Sequence, residues 1–332
     1  MAYRKWTVVS ALALITLSAL IYERWNSQSA GIPLRIAVSQ TPLSTPFFVA
    51  AEKGFFQEQG LNVQLQLYPG GHKCFESLIQ GKVDLATSSD SVIMFNSFKR
   101  DDFSVLSSFV QSDNDIKIVA HPDLTVKTPS DLVGKRVGII PNSASEFFLY
   151  TLLLVNGIPA SDITMVPLPA SKMSEALAKQ QVDAVSVWEP YGYETLSHFK
   201  KPPQTIRAQG LYNLSFNLLS MRHSATDIRN RESHQRLLQA LSKATKFIAR
   251  YPDTAQHIAA TQLKMSPAAI RHSWQDYVFS LSLSNSLIST LESEAHWAVS
   301  QQRVVNQQIP DYRSYINGSA LLAAEPSASL IR

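Results

Sequence analysis

The chain has 332 residues, enough for a buried core and roughly two domain-sized units. Apolar residues make up 45% and charged residues 17%, a composition that is typical of a globular protein and excludes a disordered chain. Lys and Arg exceed Asp and Glu by 30 to 26 without a dense basic run, which argues against nucleic-acid binding. Cys74 is the single cysteine, so no internal disulfide and no cysteine-based zinc site can form.

The N-terminus carries a targeting pattern. Arg4 and Lys5 precede an uncharged, mostly apolar run at residues 6–22. This pattern predicts a signal peptide or a signal anchor within residues 1–30, and both outcomes stay open because the run is short for a bilayer span and its cleavage site is weak. Either outcome places the rest of the chain in the periplasm or an equivalent extracytoplasmic space. A retained run would anchor it to the inner membrane.

From residue 34 onward, strand signals alternate with helix signals, which predicts parallel α/β units. The first unit has predicted strands at 34–38, 61–67, 83–87 and 105–110, and predicted helices at 46–59, 73–80 and 91–98. The second unit has predicted strands at 116–120, 135–140, 163–168 and 182–188, and predicted helices at 146–156 and 171–181. The remainder has one strand at 215–221 and helices at 234–250, 252–264, 266–279 and 287–307.

The two units share one pattern. A strand followed by a Ser/Thr-rich turn at 34–45 corresponds to a strand and an Asn/Ser turn at 136–145, and Gly81-Lys-Val-Asp-Leu corresponds to Gln180-Gln-Val-Asp-Ala. Two lobes of like build would each offer a helix N-terminus, whose free N–H groups can hold a polar or anionic group. Chance similarity between two α/β segments is the alternative.

The order of elements predicts how the lobes are divided. We expect lobe one to contain 34–115 plus 216–332, with the helical C-terminal part packed on it, and lobe two to contain 116–215. The chain would cross between the lobes near 111–121 and again near 209–217. Two crossings form a hinge rather than a tether.

Four ordered motifs carry a family resemblance. They are the stretch 45–63 (TPFFVAAEKGFFQEQGLNV), Gly81-Lys-Val-Asp-Leu-Ala-Thr, Gly134-Lys-Arg-Val-Gly and the stretch 182–191 (VDAVSVWEPY). Together they resemble the periplasmic substrate-binding proteins of ABC importers, in the NMT1-like branch that includes nitrate, sulfonate, taurine and thiamine-precursor binders. The resemblance covers about 34–310.

The resemblance implies a type II periplasmic-binding fold, in which two α/β lobes close on a ligand between them. It implies a monomeric binding protein without enzymatic activity or cofactor, which delivers a sulfonate, nitrate, taurine, aminopyrimidine or similar small molecule to a membrane permease. The ATPase would belong to partner chains. The resemblance does not identify the ligand.

Polar residues follow strands whose carboxyl ends meet at one edge of each predicted sheet, where ligands of open α/β sheets bind. In lobe one, the candidate ligand contacts are Ser39, Thr41, Ser44, Thr45, Thr87, Ser88, Ser89 and Asp90. In lobe two, they are Asn142, Ser143 and Ser145. Ordinary turn and capping chemistry is the alternative for each group. For Asp90 we favour a cap on the helix that begins at Ser91, and Thr45 is expected to cap the first helix.

The motif at 188–191 supplies further candidates, because an indole face can stack on a planar or cationic ligand. Trp188 and Tyr191 are therefore candidate contacts. Glu189, if no Lys or Arg pairs with it, would accept hydrogen bonds from an amine, an amidine or a hydroxyl, and the alternative is a structural elbow that bonds backbone N–H groups. Gln111 and Asn213 lie near the crossings and could reach the cleft. Phe47 could form the pocket floor, although a core position is favoured.

Other functions have weaker support. His72 and Cys74 lack further ligands at zinc spacing, so no metal site is expected. No nucleophile elbow, metalloprotease motif or phosphate loop is present, so no catalytic residue is assigned. A ligand-sensing ectodomain for a signalling partner stays an alternative. The pyrimidine-precursor synthases that resemble this family carry a cysteine-rich segment, and a single cysteine departs from that pattern.

Overall fold

The structure is a computed structural model that describes residues 33–206 and 208–328, and the strands in these residues form two five-stranded sheets. The first sheet contains β1 (Leu34–Ser39), β2 (Val63–Tyr68), β3 (Leu85–Ser89), β4 (Phe103–Ser112) and β10 (Leu214–Met221). The second sheet contains β5 (Ile116–Ala120), β6 (Arg136–Ile139), β7 (Thr164–Pro167), β8 (Ala184–Trp188) and β9 (Gln204–Ile206).

Helices cover both sheets. Those between strands of the first sheet are α1 (Thr45–Glu52), α2 (Phe55–Glu58), α3 (Gly71–Ile79) and α4 (Asp90–Ser97). Those between strands of the second sheet are α5 (Ala144–Val155), α6 (Met173–Ala178) and α7 (Tyr191–Ser197). After β10 come α8 (Arg222–Thr226), α9 (Ile228–Arg250), α10 (Pro252–Leu263), α11 (Pro267–Trp274), α12 (Asn285–Ser300) and α13 (Ser319–Ala324). Because α9 packs on α1 and α12 packs on α4, the C-terminal helices cover the first sheet.

Both sheets have the same topology. The strand order is β2-β1-β3-β10-β4 in the first sheet and β7-β6-β8-β5-β9 in the second. In each sheet the first three strands in this order pair parallel, the fourth pairs antiparallel with both of its neighbours, and the fifth therefore runs in the same direction as the first three. The carboxyl ends of the parallel strands therefore lie at one edge of each sheet, where the polar turns begin.

The repeat extends to side-chain contacts. In the first sheet, the Arg35 backbone N–H donates to Asp84 Oδ2 at 2.8 Å, and the Arg35 guanidinium Nη2 donates to Oδ1 at 2.8 Å. In the second, Arg136 makes the same two bonds to Asp183, at 2.8 Å and 2.9 Å. In each sheet the arginine lies at the start of one strand (β1 or β6), and the aspartate lies just before the adjacent strand (β3 or β8). The pattern shared by the two units therefore has a common structural basis.

The chain passes between the sheets twice. It leaves the first sheet after Ser112 and enters the second at Ile116. It leaves the second sheet after Ile206 and returns to the first at Leu214. The first passage lies within the predicted range 111–121, whereas the second begins before the predicted range 209–217.

The C-terminal region differs from the predicted helices in two places. The helix predicted at 266–279 ends at Trp274, and Val278 and Ser282 bond to Gln111 and Ser108 of β4 instead. The physical reason is that β4 is an edge strand, whose free N–H and C=O groups gain partners from this segment. The helix predicted at 287–307 ends at Ser300, and Gln302 adopts a left-handed conformation with φ 55°.

The N-terminal targeting segment, with both of its alternatives, lies outside the described residues. Within residues 33–206 and 208–328, no helix has both the length and the apolar character needed to span a bilayer.

Aromatic side chains fill the core beneath the first sheet. Phe47 and Phe109 are fully buried, and their rings meet edge to face with centroids 5.0 Å apart. Phe216 packs against Phe109 from β10 with centroids 6.2 Å apart. These rings join α1, β4 and β10, and thereby the part of the sheet that precedes the first crossing to the part that follows the second.

We predict that Phe109→Ala lowers the free energy of unfolding by about 3–5 kcal/mol, because it leaves a cavity that Phe47 and Phe216 cannot fill. Urea denaturation monitored by circular dichroism measures this loss. Val305→Ala is the control, since Val305 is fully exposed and its truncation should change stability by less than about 0.5 kcal/mol. Equal effects of the two substitutions would contradict this account of the core.

Candidate ligand-binding site

The turn after β1 is shaped by its own hydroxyl groups. Ser44 Oγ donates to the Ser39 carbonyl at 2.7 Å, and Thr45 Oγ1 donates to the Pro42 carbonyl at 2.6 Å. Thr41 Oγ1 donates to Ser39 Oγ at 3.4 Å. Helix α1 begins at Thr45, with Ser44 rather than Thr45 at the N-cap position and no side chain bonded to its first N–H groups. The hydroxyls serve the turn, and the helix N-terminus stays uncapped by side chains.

The turn after β3 lies beside the turn after β1. Thr87 Oγ1 accepts a bond from the Ser39 N–H at 3.0 Å, which joins the ends of the two strands. Ser88 Oγ donates to the Gly71 carbonyl at 3.1 Å, and Ser89 Oγ lies 3.0 Å from Ser91 Oγ. A Cβ at Gly71 would lie 3.0 Å from the Ser88 Cα, so any larger residue here would require the backbone around Ser88 to shift.

Asp90 is fully buried and bonds to several protein donors. Its carboxylate accepts from the Ser91 N–H at 2.8 Å, from the Ser215 N–H at 2.8 Å and from the Ser215 hydroxyl at 3.2 Å, and Tyr212 also donates to it. Burial raises its pKa to about 6 against the lowering effect of these bonds. The prediction that Asp90 caps a helix starting at Ser91 is wrong, because α4 begins at Asp90 itself with Ser89 at the N-cap position. The bonds to Ser215 and Tyr212 instead tie α4 to β10 and to the second crossing.

A second buried carboxyl group faces the same tyrosine. Tyr212 Oη lies 3.0 Å from Glu294 Oε1, while Glu294 Oε2 has no hydrogen-bond partner in the described residues. A phenol has one proton, which it gives to Asp90, so a bond to Glu294 requires a proton on Glu294. Burial and the charge of Asp90 raise the pKa of Glu294 well above its usual value, in agreement with a protonated group.

The turn after β6 is held in the second sheet by serines. Ser143 is the N-cap of α5, since its Oγ accepts from the Ser145 N–H at 3.2 Å and donates to the Ile140 carbonyl at 2.6 Å. Ser145 Oγ donates to the Ser186 carbonyl at 2.7 Å, which joins the turn to β8. Asn142 is exposed, and its N–H donates to Glu146 Oε2 at 2.8 Å.

The motif after β8 forms a buried ion pair. Glu189 and Lys117 are almost completely buried, and Lys117 Nζ lies 2.8 Å from Glu189 Oε1. Glu189 Oε2 accepts from the Tyr193 N–H at 2.9 Å. The condition for a ligand role of Glu189, the absence of a Lys or Arg partner, is therefore not met. The bond from the Tyr193 N–H agrees with the alternative interpretation, in which Glu189 is part of a structural elbow and bonds to backbone N–H groups. Trp188 and Tyr191 are half-buried beside this pair.

More charged groups surround the same pair at the first crossing. Lys117 Nζ donates to the Asn114 carbonyl at 2.7 Å and lies 3.7 Å from Asp276 Oδ2. Asp115 accepts from Tyr277 Oη at 2.9 Å, and burial raises its pKa to about 7. Lys117 is thus the cation at the centre of a cluster of charged groups, and this cluster joins the second sheet to the segment after α11.

The remaining candidates occupy different environments. Gln111 is half-buried, and its backbone exchanges bonds with Val278 at 3.0 Å and 2.9 Å. Asn213 is exposed directly after Tyr212. Phe47 is a core side chain, as described above. Burial raises the pKa of the Cys74 thiol to about 12, and no group of three or more metal-ligating side chains occurs in the described part of the chain.

Sequence reasoning missed four residues at the junction of the sheets: Lys117, Tyr212, Glu294 and Arg303. Lys117 carried a readable signal, because it interrupts the apolar strand Ile116-Lys-Ile-Val-Ala. A lysine inside a buried strand requires a carboxylate partner. Glu294 and Arg303 lie in the helical C-terminal part, where nothing in the local pattern separates them from surface charges.

Comparison with known proteins identifies the class of the fold. The alkanesulfonate-binding protein SsuA from Xanthomonas axonopodis pv. citri, solved with MOPS, superimposes with a TM-score of 0.74 at 21% identity and covers 87% of this chain and 99% of that chain. The fold is therefore that of the type II periplasmic binding proteins. The desulfurization enzyme DSZB has a related fold, with a TM-score of 0.66 at 14% identity over 89% of this chain and 99% of that chain.

Residues 41–255 match the family model described as NMT1/THI5 like, and the chain belongs to this family. A protein of Bacillus subtilis (strain 168) named for aliphatic sulfonate binding is 26% identical over 231 residues, which is 67% of each chain. The taurine-binding periplasmic protein of Escherichia coli (strain K12) is 22% identical over 174 residues, 52% of this chain and 53% of its own length. The resemblance inferred from the motifs is confirmed.

We predict that Lys117→Met lowers the free energy of unfolding by about 3–5 kcal/mol, because it leaves the Glu189 carboxylate buried without its cation. Adding Glu189→Gln should recover part of this loss. Lys243→Met is the matched control, since its partner Glu58 is about half exposed and the expected cost is within about 1 kcal/mol. Urea denaturation of the wild type, the two single lysine variants and the double variant measures these losses. Equal losses for Lys117→Met and Lys243→Met would contradict the importance of the buried pair.

We also predict a pH-dependent effect of Glu294→Gln. The folded state raises the pKa of Glu294, so the wild-type protein loses stability as the pH rises above the usual value of about 4.5 towards the folded value. The glutamine cannot lose a proton, so the variant should gain on the wild type by about 1.4 kcal/mol per pH unit in that window. Urea denaturation at pH 6, 7, 8 and 9 measures the difference, and parallel pH profiles would contradict a protonated Glu294.

Proposed function

We propose that this chain is an extracytoplasmic solute-binding protein that captures a small polar or anionic molecule for an ABC importer. The observation that carries the proposal is the repeated unit of strand, polar turn and helix, present once in each sheet. The family match at residues 41–255 spans both units. Relatives named for sulfonate or taurine binding, one of them periplasmic, support the same role.

The ligand is proposed to bind between two lobes, 34–115 plus 216–332 and 116–215, at the polar turns that follow β1, β3 and β6. The candidate side chains in the turns are mostly neutral hydroxyls, and the start of α1 has no side-chain cap. The positive end of the α1 dipole favours an anion, although the Thr45 N–H already donates to the Pro42 carbonyl and Pro46 has no N–H. The carboxylates nearest these turns, Asp90 and Glu146, already bond to protein donors. A sulfonate therefore fits this set of donors better than an amine does.

Capture is proposed to proceed by rotation of the lobes about the two crossings. The closed form would then dock on a membrane permease, whose ATPase is a separate chain. We infer that the protein acts as a monomer, because each chain supplies both walls of the cleft. If residues 6–22 stay attached, the inner membrane would hold the protein near its permease and raise the effective concentration.

An enzymatic role is the second candidate, because DSZB shares the fold. The environment of Cys74 favours binding instead. A cysteine nucleophile must be a thiolate, and a buried thiol with a pKa of about 12 stays protonated. A sensing ectodomain would share the ligand site and differ only in its partner. Recovery of the ligand unchanged after incubation, measured by mass spectrometry, separates binding from turnover.

We predict that an alkanesulfonate raises the melting temperature of the protein. At a concentration 100 times its Kd a ligand adds about 2.7 kcal/mol, which corresponds to about 4 °C for a protein of this size. A thermal-shift panel of taurine, ethanesulfonate, MOPS, nitrate, an aminopyrimidine and an aromatic carboxylate measures the effect. Sodium chloride at equal ionic strength is the control.

The panel separates the outcomes. A shift with sulfonates and none with sodium chloride supports the proposed ligand class. A shift with the aminopyrimidine alone would keep the binding role and overturn the sulfonate class. No shift with any compound at millimolar concentration would contradict a small-molecule cleft of these classes.

A further inference from the structure

An ion pair connects the two halves of the molecule beside the proposed ligand turn. Arg303 follows α12, which packs on α4 and is tied to Tyr212 through Glu294 on the side of the first sheet. Glu146 lies in α5, which packs on the second sheet. The Arg303 guanidinium donates to Glu146 Oε1 and thereby spans the division between the sheets.

Both oxygens of Glu146 are bonded. While Oε1 accepts from Arg303, Oε2 accepts from the Asn142 N–H at 2.8 Å. The Glu146 side chain has no exposed surface, and burial raises its pKa against the opposing effects of these two partners. A carboxylate in this position is stable only while its cation is present.

The bond to Asn142 fixes the shape of the turn. Asn142 adopts a left-handed backbone with φ 53°, which asparagine tolerates better than most residues other than glycine. Glu146 holds the Asn142 N–H in this conformation, and Ser143 completes the turn as the cap of α5. The turn is thus bonded to Glu146, and Glu146 is in turn bonded to Arg303.

An aromatic contact spans the same division. The Trp297 ring on α12 lies 5.3 Å from the Phe147 ring and 5.7 Å from the Tyr150 ring on α5, between centroids. Trp297 also meets Phe95 of α4 at 6.0 Å. Residues 146, 147 and 150 share one face of α5, so the ion pair and the rings form one contact surface between the halves.

We infer that Arg303 is a positioning residue for ligand capture: through Glu146 it holds the 141–143 turn ready for a ligand and favours the closed arrangement before the ligand arrives. This inference rests on the proposed function. The Arg303 side chain is 34% exposed, so the pair can separate into water when the lobes open. Because affinity falls in proportion to the binding-competent fraction, loss of this contact weakens binding without removing any ligand contact.

The first experiment measures affinity. Isothermal titration with taurine, ethanesulfonate and MOPS is expected to show a Kd about 10-fold higher for Arg303→Met than for the wild type, with Arg303→Lys between them, and the change should appear in the dissociation rate. Glu146→Gln combined with Arg303→Met should be no weaker than Arg303→Met alone, since the two act as one unit. Arg35→Met is the matched control, because it removes a similar arginine–carboxylate pair within the first sheet.

The second experiment needs no ligand. Spin labels on Ser171→Cys and Thr254→Cys, at exposed positions in the two halves, report the distance between them, and the buried Cys74 stays unlabelled. Arg303→Met is expected to shift the ligand-free distance distribution away from that of the wild type. The double variant Arg35→Met with Arg303→Met should show the same shift as Arg303→Met alone.

The outcomes of the two experiments are distinct. If the wild type binds none of the three sulfonates, the proposed ligand class fails, and the spin-label distances still test the contact. If Arg303→Met matches the wild type in distance distribution, or in the Kd of a sulfonate that the wild type binds, the inference is overturned. The same holds if Arg35→Met weakens binding as much as Arg303→Met does.

Discussion

Buried carboxylates that find their partners across the two crossings are the constraint on which this structure depends. At the first crossing Glu189 takes the only lysine within its reach in the described residues, Lys117, from the neighbouring strand. At the second, Asp90 collects donors from β10 and from Tyr212. A buried charge without a partner costs several kcal/mol, so the segments that supply the partners cannot move independently of the sheets.

Hydrogen bonds within the protein also explain how the polar turns lie beside a buried core. The hydroxyls after β1, β3 and β6 mostly bond to nearby backbone carbonyls, as Ser44 and Ser145 do. Such bonds fix where each turn leaves its strand. Neutral side chains shape the proposed site, while the charged ones hold the framework around it.

The alternation of strand and helix signals was enough to predict the α/β class and the repeat, because those features depend on local periodicity. The pairs Arg35–Asp84 and Arg136–Asp183 occupy equivalent positions in the two sheets. Both aspartates belong to the Val-Asp motifs by which the sequence indicates the repeat. The extended segment around Val278 was not predictable, since its pairing with the edge of β4 depends on a strand more than 150 residues away. For the same reason the local pattern could not reveal that Glu189 would pair with Lys117 or Glu146 with Arg303.

Cys74 is packed beneath β3 beside Thr87, whose hydroxyl lies 3.9 Å from its sulfur. A thiol that is inaccessible and protonated neither attacks a disulfide nor is attacked by an oxidant at an appreciable rate. Export to an oxidising compartment would therefore leave this protein free of sulfur cross-links with its neighbours. With a single cysteine, its folding there forms no internal disulfide.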